Sequence, residues 1–157
     1  DILDDEFNKR TSSGWIVKVI AFLLILTIVI RTISIWNIYT TSPIEINLKV
    51  HIPMLLIDLI AGIGLLANKR FGWFAGVLSL SLHVGHQANS FIEYTQSSRY
   101  NLSTGFISLI AILFVVLLLL ALYRKKTTTF FEINKNSQVA VLLGAVTLAV
   151  LSFRYLT

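Results

Sequence analysis

Long apolar runs alternate with short polar breaks along this chain. Apolar segments fall at about 14–36, 50–68, 71–94, 104–123 and 138–156. Each is near the roughly 20 residues a helix needs to cross hydrocarbon. Backbone N–H and C=O groups find no water in lipid, so unpaired strands cannot cross it. The pattern therefore predicts an all-α integral membrane protein, a bundle of five transmembrane helices. Four spans with a peripheral fifth is the alternative, because QVAVLLGAVTLAVLSFRYL is only just long enough and carries Arg154 near its end. Residues 1–13 read as a polar N-terminal tail without the layout of a signal peptide, and residues 14–157 as a single transmembrane helical domain.

The breaks are too short to be domains. ANKR makes a tight hairpin between the second and third spans, IYTTSPIEIN and TQSSRYNLS lie on one side, and RKKTTTFFEINKNS lies on the other. Counting Lys and Arg sets the orientation. With the N-terminus inside, the inner side holds Lys9, Arg10, Lys69, Arg70, Arg124, Lys125, Lys126 and Lys135, against Lys49, Arg99 and Arg154 outside. This asymmetry predicts an inside N-terminus and an outside C-terminus. The aromatic residues fit belts at the two interfaces, with Trp15, Trp73 and Tyr123 inner and Trp36, Tyr39, Tyr94, Tyr100 and Tyr155 outer. Trp15 and Trp36 are separated by about 31 Å of helix, the thickness of the hydrocarbon.

Composition narrows the function classes. The 157 residues are 55% hydrophobic and 13% charged, against about 25% charged for a soluble domain. Nothing is left over for a separate catalytic, nucleotide-binding or nucleic-acid-binding domain. The net charge of +5 sits at the ends of apolar runs and calls for no nucleic-acid partner. With no cysteine there is no thiolate chemistry. Asn101, Leu102 and Ser103 spell a glycosylation sequon on the outer side.

The third span carries the chemistry. On a helical wheel Gly72, Gly76, Ser79, His83, His86, Gln87, Ser90 and Glu93 fall within an arc of about 120°. The opposite face, with Leu80, Val84, Gly85, Ala88, Phe91 and Ile92, is uncharged and suits lipid or apolar neighbours. In the second span His51, Asp58, Ala61, Gly62 and Leu65 share a face, and the short hairpin sets Asp58 and His83 at matching depth. In the first span Thr27, Arg31 and Ser34 share a face, with Arg31 toward the outer side and Glu93 within its reach. Gly62, Gly72 and Gly76 are candidates for close helix packing. The fourth span, apolar all round after Ser108, reads as the most lipid-exposed.

A charge in hydrocarbon costs about 2.5 to 3.5 kcal/mol on insertion scales, so these groups are expected to pair or to reach water. They predict a polar ligand or ion pocket open to the outer face, built from Arg31, His51, Asp58, His83, His86, Gln87 and Glu93. A metal held by His83, His86 and Asp58 is a further candidate, although i, i+4 is the commoner spacing for such ligands. A proton path through Asp58, His83, His86 and Glu93 is another, but below Asp58 the faces carry only small residues. The plainest reading is interhelical hydrogen bonding, with Arg31 paired to Glu93 or Asp58. No motif specifies a cofactor.

The hairpin of residues 51–80, HIPMLLIDLIAGIGLLANKRFGWFAGVLSL, resembles the DoxX-type small membrane proteins in its acidic second span, glycine run and basic turn. The first span lacks that family's glycine and lysine pattern. The resemblance implies an association with membrane redox enzymes or quinones. The residues themselves predict a non-enzymatic subunit of a bacterial inner membrane, docking on partner subunits or copies of itself. The alternatives are an intramembrane metal-dependent or redox-linked enzyme using His83, His86 and Asp58, and a membrane immunity or defence protein.

Overall fold

The computed structural model describes the backbone of residues 2–41, 48–96 and 101–155. It is all-α: α1 (Ile2–Thr41), α2 (Leu48–Leu66), α3 (Arg70–Gln96), α4 (Leu102–Tyr123), α5 (Lys125–Phe130) and α6 (Lys135–Tyr155). Each apolar segment lies on a helix, and α1 runs back to Ile2. Among the described residues, two helical stretches are long and apolar enough to cross a membrane, Gly14–Asn37 and Leu102–Tyr123. The apolar part of α2 is the shorter His51–Leu66, and the polar stripe of α3 dilutes its hydropathy. The composition of the helices alone therefore supports two spans, fewer than the expected five.

α3 is the hub, packing on α2, α4 and α6, while α1 lies on α2 and touches α5. The uncharged face of α3 is accordingly covered, with Leu80 and Gly85 buried. α4 is the more open helix, exposing Leu102, Phe106, Ile107, Leu113 and Leu117 among others.

The α2–α3 turn follows from local chemistry. α2 ends in a Schellman motif, in which Lys69 N–H donates to Gly64 C=O and Asn68 N–H to Leu65 C=O, at 2.9 and 3.0 Å. Asn68 takes the left-handed conformation this requires, φ 53°, which asparagine tolerates better than most residues. The chain then reverses so sharply that Gly72 faces Gly64. A Cβ on Gly72 would lie 2.1 Å from the Gly64 carbonyl carbon, and one on Gly64 would lie 2.5 Å from the Gly72 Cα. Gly76 sits against the Leu65 and Leu122 side chains, and Gly62 against Ile25 of α1. Gly62, Gly72 and Gly76 thus all lie at helix contacts. Gly64 joins them at the closest one.

The core gathers at this turn end: Val17, Ile20, Ala21 and Leu24 of α1, Ala61 and Leu65 of α2, Trp73, Val77 and Leu80 of α3, Leu122 of α4, and Phe131 and Ile133 beyond α5. Trp73, expected in an interfacial belt, is instead fully buried. Its indole N–H donates to the Leu122 carbonyl at 2.8 Å, and its ring meets Tyr123 edge-on at 5.4 Å. The last turn of a helix leaves carbonyls without intrahelical donors. Trp73 satisfies one such carbonyl of α4, that of Leu122, while the Ala121 carbonyl accepts from the Arg124 N–H at 3.4 Å and from the Thr127 hydroxyl at 2.9 Å. Trp15 and Trp36 remain on the surface.

The segment RKKTTTFFEINKNS holds α5 and is more than a loop. α5 ends in a second Schellman motif, with Ile133 N–H on Thr128 C=O and Glu132 N–H on Thr129 C=O. Glu132 pairs with Arg70, so this segment is tied to the α2–α3 turn. At the other end of the bundle Asn101 caps α4, its side-chain oxygen accepting from the Ser103 N–H and hydroxyl at 3.1 and 2.9 Å. Helix capping accounts for both polar residues of the sequon.

Candidate functional site

Asp58 lies six residues before Gly64, and Ser79 seven after Gly72, about 9 and 10.5 Å along their helices. The glycine contact at the turn therefore brings them level. His83, one turn beyond Ser79 on the same face, completes the set. The Ser79 hydroxyl donates to Asp58 Oδ1 at 2.5 Å, and His83 Nε2 lies 3.1 Å from both Asp58 oxygens. All three side chains are shut away, with Asp58 and Ser79 1% exposed and His83 6%.

α1 supplies the next member. Arg31 Nη2 lies 3.0 Å from His83 Nδ1, and its Nη1 donates to the Met54 sulfur at 3.5 Å. Met54 is four residues before Asp58 and so shares its face of α2. These contacts fix the imidazole tautomer. A guanidinium only donates, so Nδ1 is the acceptor and Nε2 carries the hydrogen given to Asp58. A positive and a negative charge are thus joined through one imidazole, in the order Arg31, His83, Asp58, Ser79. Buried charges of opposite sign offset their desolvation only when such hydrogen bonds are complete.

The remaining candidates lie farther from the turn. His86 is half-buried, within electrostatic range of Arg31 and Glu93. His51 and Gln87 are also half-buried, while Glu93 is exposed. The expected pairing of Arg31 with Glu93 is not formed. Glu93 accepts from the Asn89 amide at 2.8 Å and lies ten residues past His83, about 15 Å along α3. Arg31 meets His83 and Met54 first. Asp58 reaches Arg31 through the imidazole.

Ser79, Met54 and Asn89 were not picked out as site residues from sequence. Ser79 had a signal in its i, i+4 spacing to His83 and Met54 in its i, i+4 spacing to Asp58. Asn89 falls off the polar stripe, on a side of α3 that is buried only because α3 is the hub.

This order of groups limits the chemistry. Nucleophilic catalysis requires the serine hydrogen to pass to an imidazole, whereas Ser79 gives its hydrogen to a carboxylate in a closed interior. Among the described residues no three His, Asp or Glu side chains converge as a metal site requires, and both His83 nitrogens are already engaged. A proton moving along α3 would have to enter at His83 Nδ1, where an arginine stands that does not release its own. What the geometry does provide is a charge-balanced clasp joining α1 to the α2–α3 hairpin, with half-buried polar side chains beyond it. The chain matches no family model, no curated protein and no solved structure, so the resemblance of residues 51–80 to the DoxX-type proteins finds no support there and the site stands on its own geometry.

Proposed function

We propose that this chain is a non-enzymatic subunit of a bacterial inner membrane. In this reading its five long helices cross the bilayer with the N-terminus inside, and it docks on partner subunits or on copies of itself. The Arg31, His83, Asp58 and Ser79 chain carries the reading. It spends ionisable side chains of three helices on holding the bundle in one arrangement, and it leaves His51, His86, Gln87 and Glu93 as a polar cleft toward the outer face. The apolar surfaces of α1, α4 and α6, where Trp15, Phe106, Leu113, Val139 and Leu143 are exposed, suit lipid or other membrane helices and would be a liability in water.

The proposed orientation has a direct test, because the chain contains no cysteine. Single cysteines at two exposed positions, Thr95→Cys at the end of α3 and Thr129→Cys in α5, are probed with an impermeant maleimide. Thr95→Cys should label in intact cells and Thr129→Cys only after permeabilisation. The reverse pattern would place the bundle upside down.

Assembly tests the subunit reading itself. The protein extracted in mild detergent should migrate well above its own 17.6 kDa, and His83→Ala and Glu93→Gln should weaken that assembly. A wild-type chain that is always alone, or two variants that assemble unchanged, would count against it.

A further inference from the structure

Arg31 is unusually poorly matched to its partners. A guanidinium has five N–H donors in a rigid fork shaped for two oxygens of one carboxylate or phosphate. Among the described residues Arg31 bonds only to an imidazole nitrogen and to the Met54 thioether, at 3.0 and 3.5 Å. Thioether sulfur is a weak acceptor. Neither nearby carboxylate uses the fork, since Asp58 is taken by Ser79 and His83, and Glu93 by Asn89.

Location adds a second observation. Arg31 is half-buried and not sealed, and exposed Trp36 follows it on α1, about 7.5 Å farther along. In the orientation proposed above, the guanidinium lies just beneath the outer interface, where phospholipid headgroups begin. His86, and through it His51, share its electrostatic neighbourhood. Both are half-buried, His51 on α2 and His86 on α3, and each imidazole carries a ring N–H able to donate.

We infer that Arg31, with His86 and His51, forms a binding site for a phosphate oxyanion entering from the outer side. Two phosphate oxygens would take the open donors of the Arg31 fork, replacing the weak sulfur contact, while the imidazoles donate from the facing helices. Arg31 keeps its bond to His83, so occupancy would tighten α1 against the hairpin. The oxyanion is either free phosphate or the headgroup of an outer-leaflet phospholipid. The inference deepens the polar-cleft part of the proposed function and rests on it.

Thermal unfolding of the delipidated full-length protein in detergent tests it. One arm adds inorganic phosphate, the other short-chain phosphatidylglycerol, each against chloride of equal ionic strength and, for the lipid, diacylglycerol of the same chain length. A ligand that binds only the folded state raises Tm, so at least one arm should show a rise of several degrees. Phosphate alone, lipid alone, or both then identify the source. Arg31→Lys, which keeps the charge and removes the fork, should abolish the rise, and His86→Ala should reduce it. Lys125→Gln with Lys126→Gln, which thins the basic cluster at the opposite end, should leave it intact.

The inference is overturned if neither arm exceeds its control, if Arg31→Lys responds like wild type, or if the rise disappears with Lys125 and Lys126. Should Arg31→Lys fail to fold, a full response in His86→Ala overturns it equally. These readouts use isolated protein and not its assembly state, so the site and the subunit reading fail separately.

Discussion

Gly72→Val should leave no correctly packed α2–α3 hairpin, and even Gly72→Ala should cost more than about 3 kcal/mol, beyond the usual range for overpacking. The added Cβ would lie 2.1 Å from the Gly64 carbonyl carbon, 2.4 Å from the Leu65 nitrogen and 2.5 Å from the Gly64 oxygen. These are backbone atoms, which have no rotamer to escape into, so the helices must move apart. Separation pulls Ser79 and His83 away from Asp58, and a buried carboxylate without donors adds its own penalty. The effect should appear as a collapse of the unfolding midpoint in detergent. Gly62→Ala should be milder, because its closest neighbour is the Ile25 side chain at 2.8 Å, which can rotate. Gly144→Ala serves as the control: a Cβ there meets nothing within 4 Å, and alanine's helix preference predicts a neutral result or a gain of up to about 1 kcal/mol. A Gly72→Ala protein that melts like wild type would mean the helices are farther apart than described.

The second large effect is expected at Asp58. Asp58→Ala should destabilise by about 3 to 5 kcal/mol, since it removes the one partner that, among the described residues, holds His83 Nε2 and the Ser79 hydroxyl, and leaves the Arg31 charge uncompensated. Arg31→Met should also destabilise, by freeing the opposite charge. Combining the two should cost less than the sum of the separate losses, by about 1 to 3 kcal/mol, because the double variant strands neither charge. Unfolding of the four proteins under one set of conditions gives this coupling directly. Additive losses would show that Arg31 and Asp58 do not interact through His83, and the clasp would be two unrelated contacts.

The Asp58–His83 contact was legible because a short turn between two helices fixes their relative depth by counting alone. The polar arc of α3 was legible for the same reason, a fixed angle per residue. What escaped were quantities that depend on a third body. Gly64 becomes critical only once Gly72 is known to face it. The end point of Arg31 turns on which acceptor a long, flexible side chain meets first, and Met54 and His83 lie nearer than Glu93. Trp73 carries the composition of an interfacial residue, yet an unpaired carbonyl at the end of α4 gives its indole N–H a place in the core. Asn89 shows no pattern because a hub helix is buried on sides that a wheel leaves blank. α5 is six residues rich in β-branched threonine, too short to leave a period, and its packing on α1 supplies what its propensity does not.

If the chain is a membrane subunit as proposed, the glycine-on-glycine contact also bears on how it would enter a bilayer. A carboxylate presented to lipid on a lone helix is strongly disfavoured. A turn of so few residues, with α2 and α3 in backbone contact beside it, lets the two helices partition as one body, so that Asp58 meets Ser79 and His83 while still at the interface. The guanidinium of α1, synthesised earlier and carried by a very apolar helix, then has a ready-made dock. In the proposed membrane setting, the position of one pair of glycines thus lets the Asp58 carboxylate enter the bilayer core already paired.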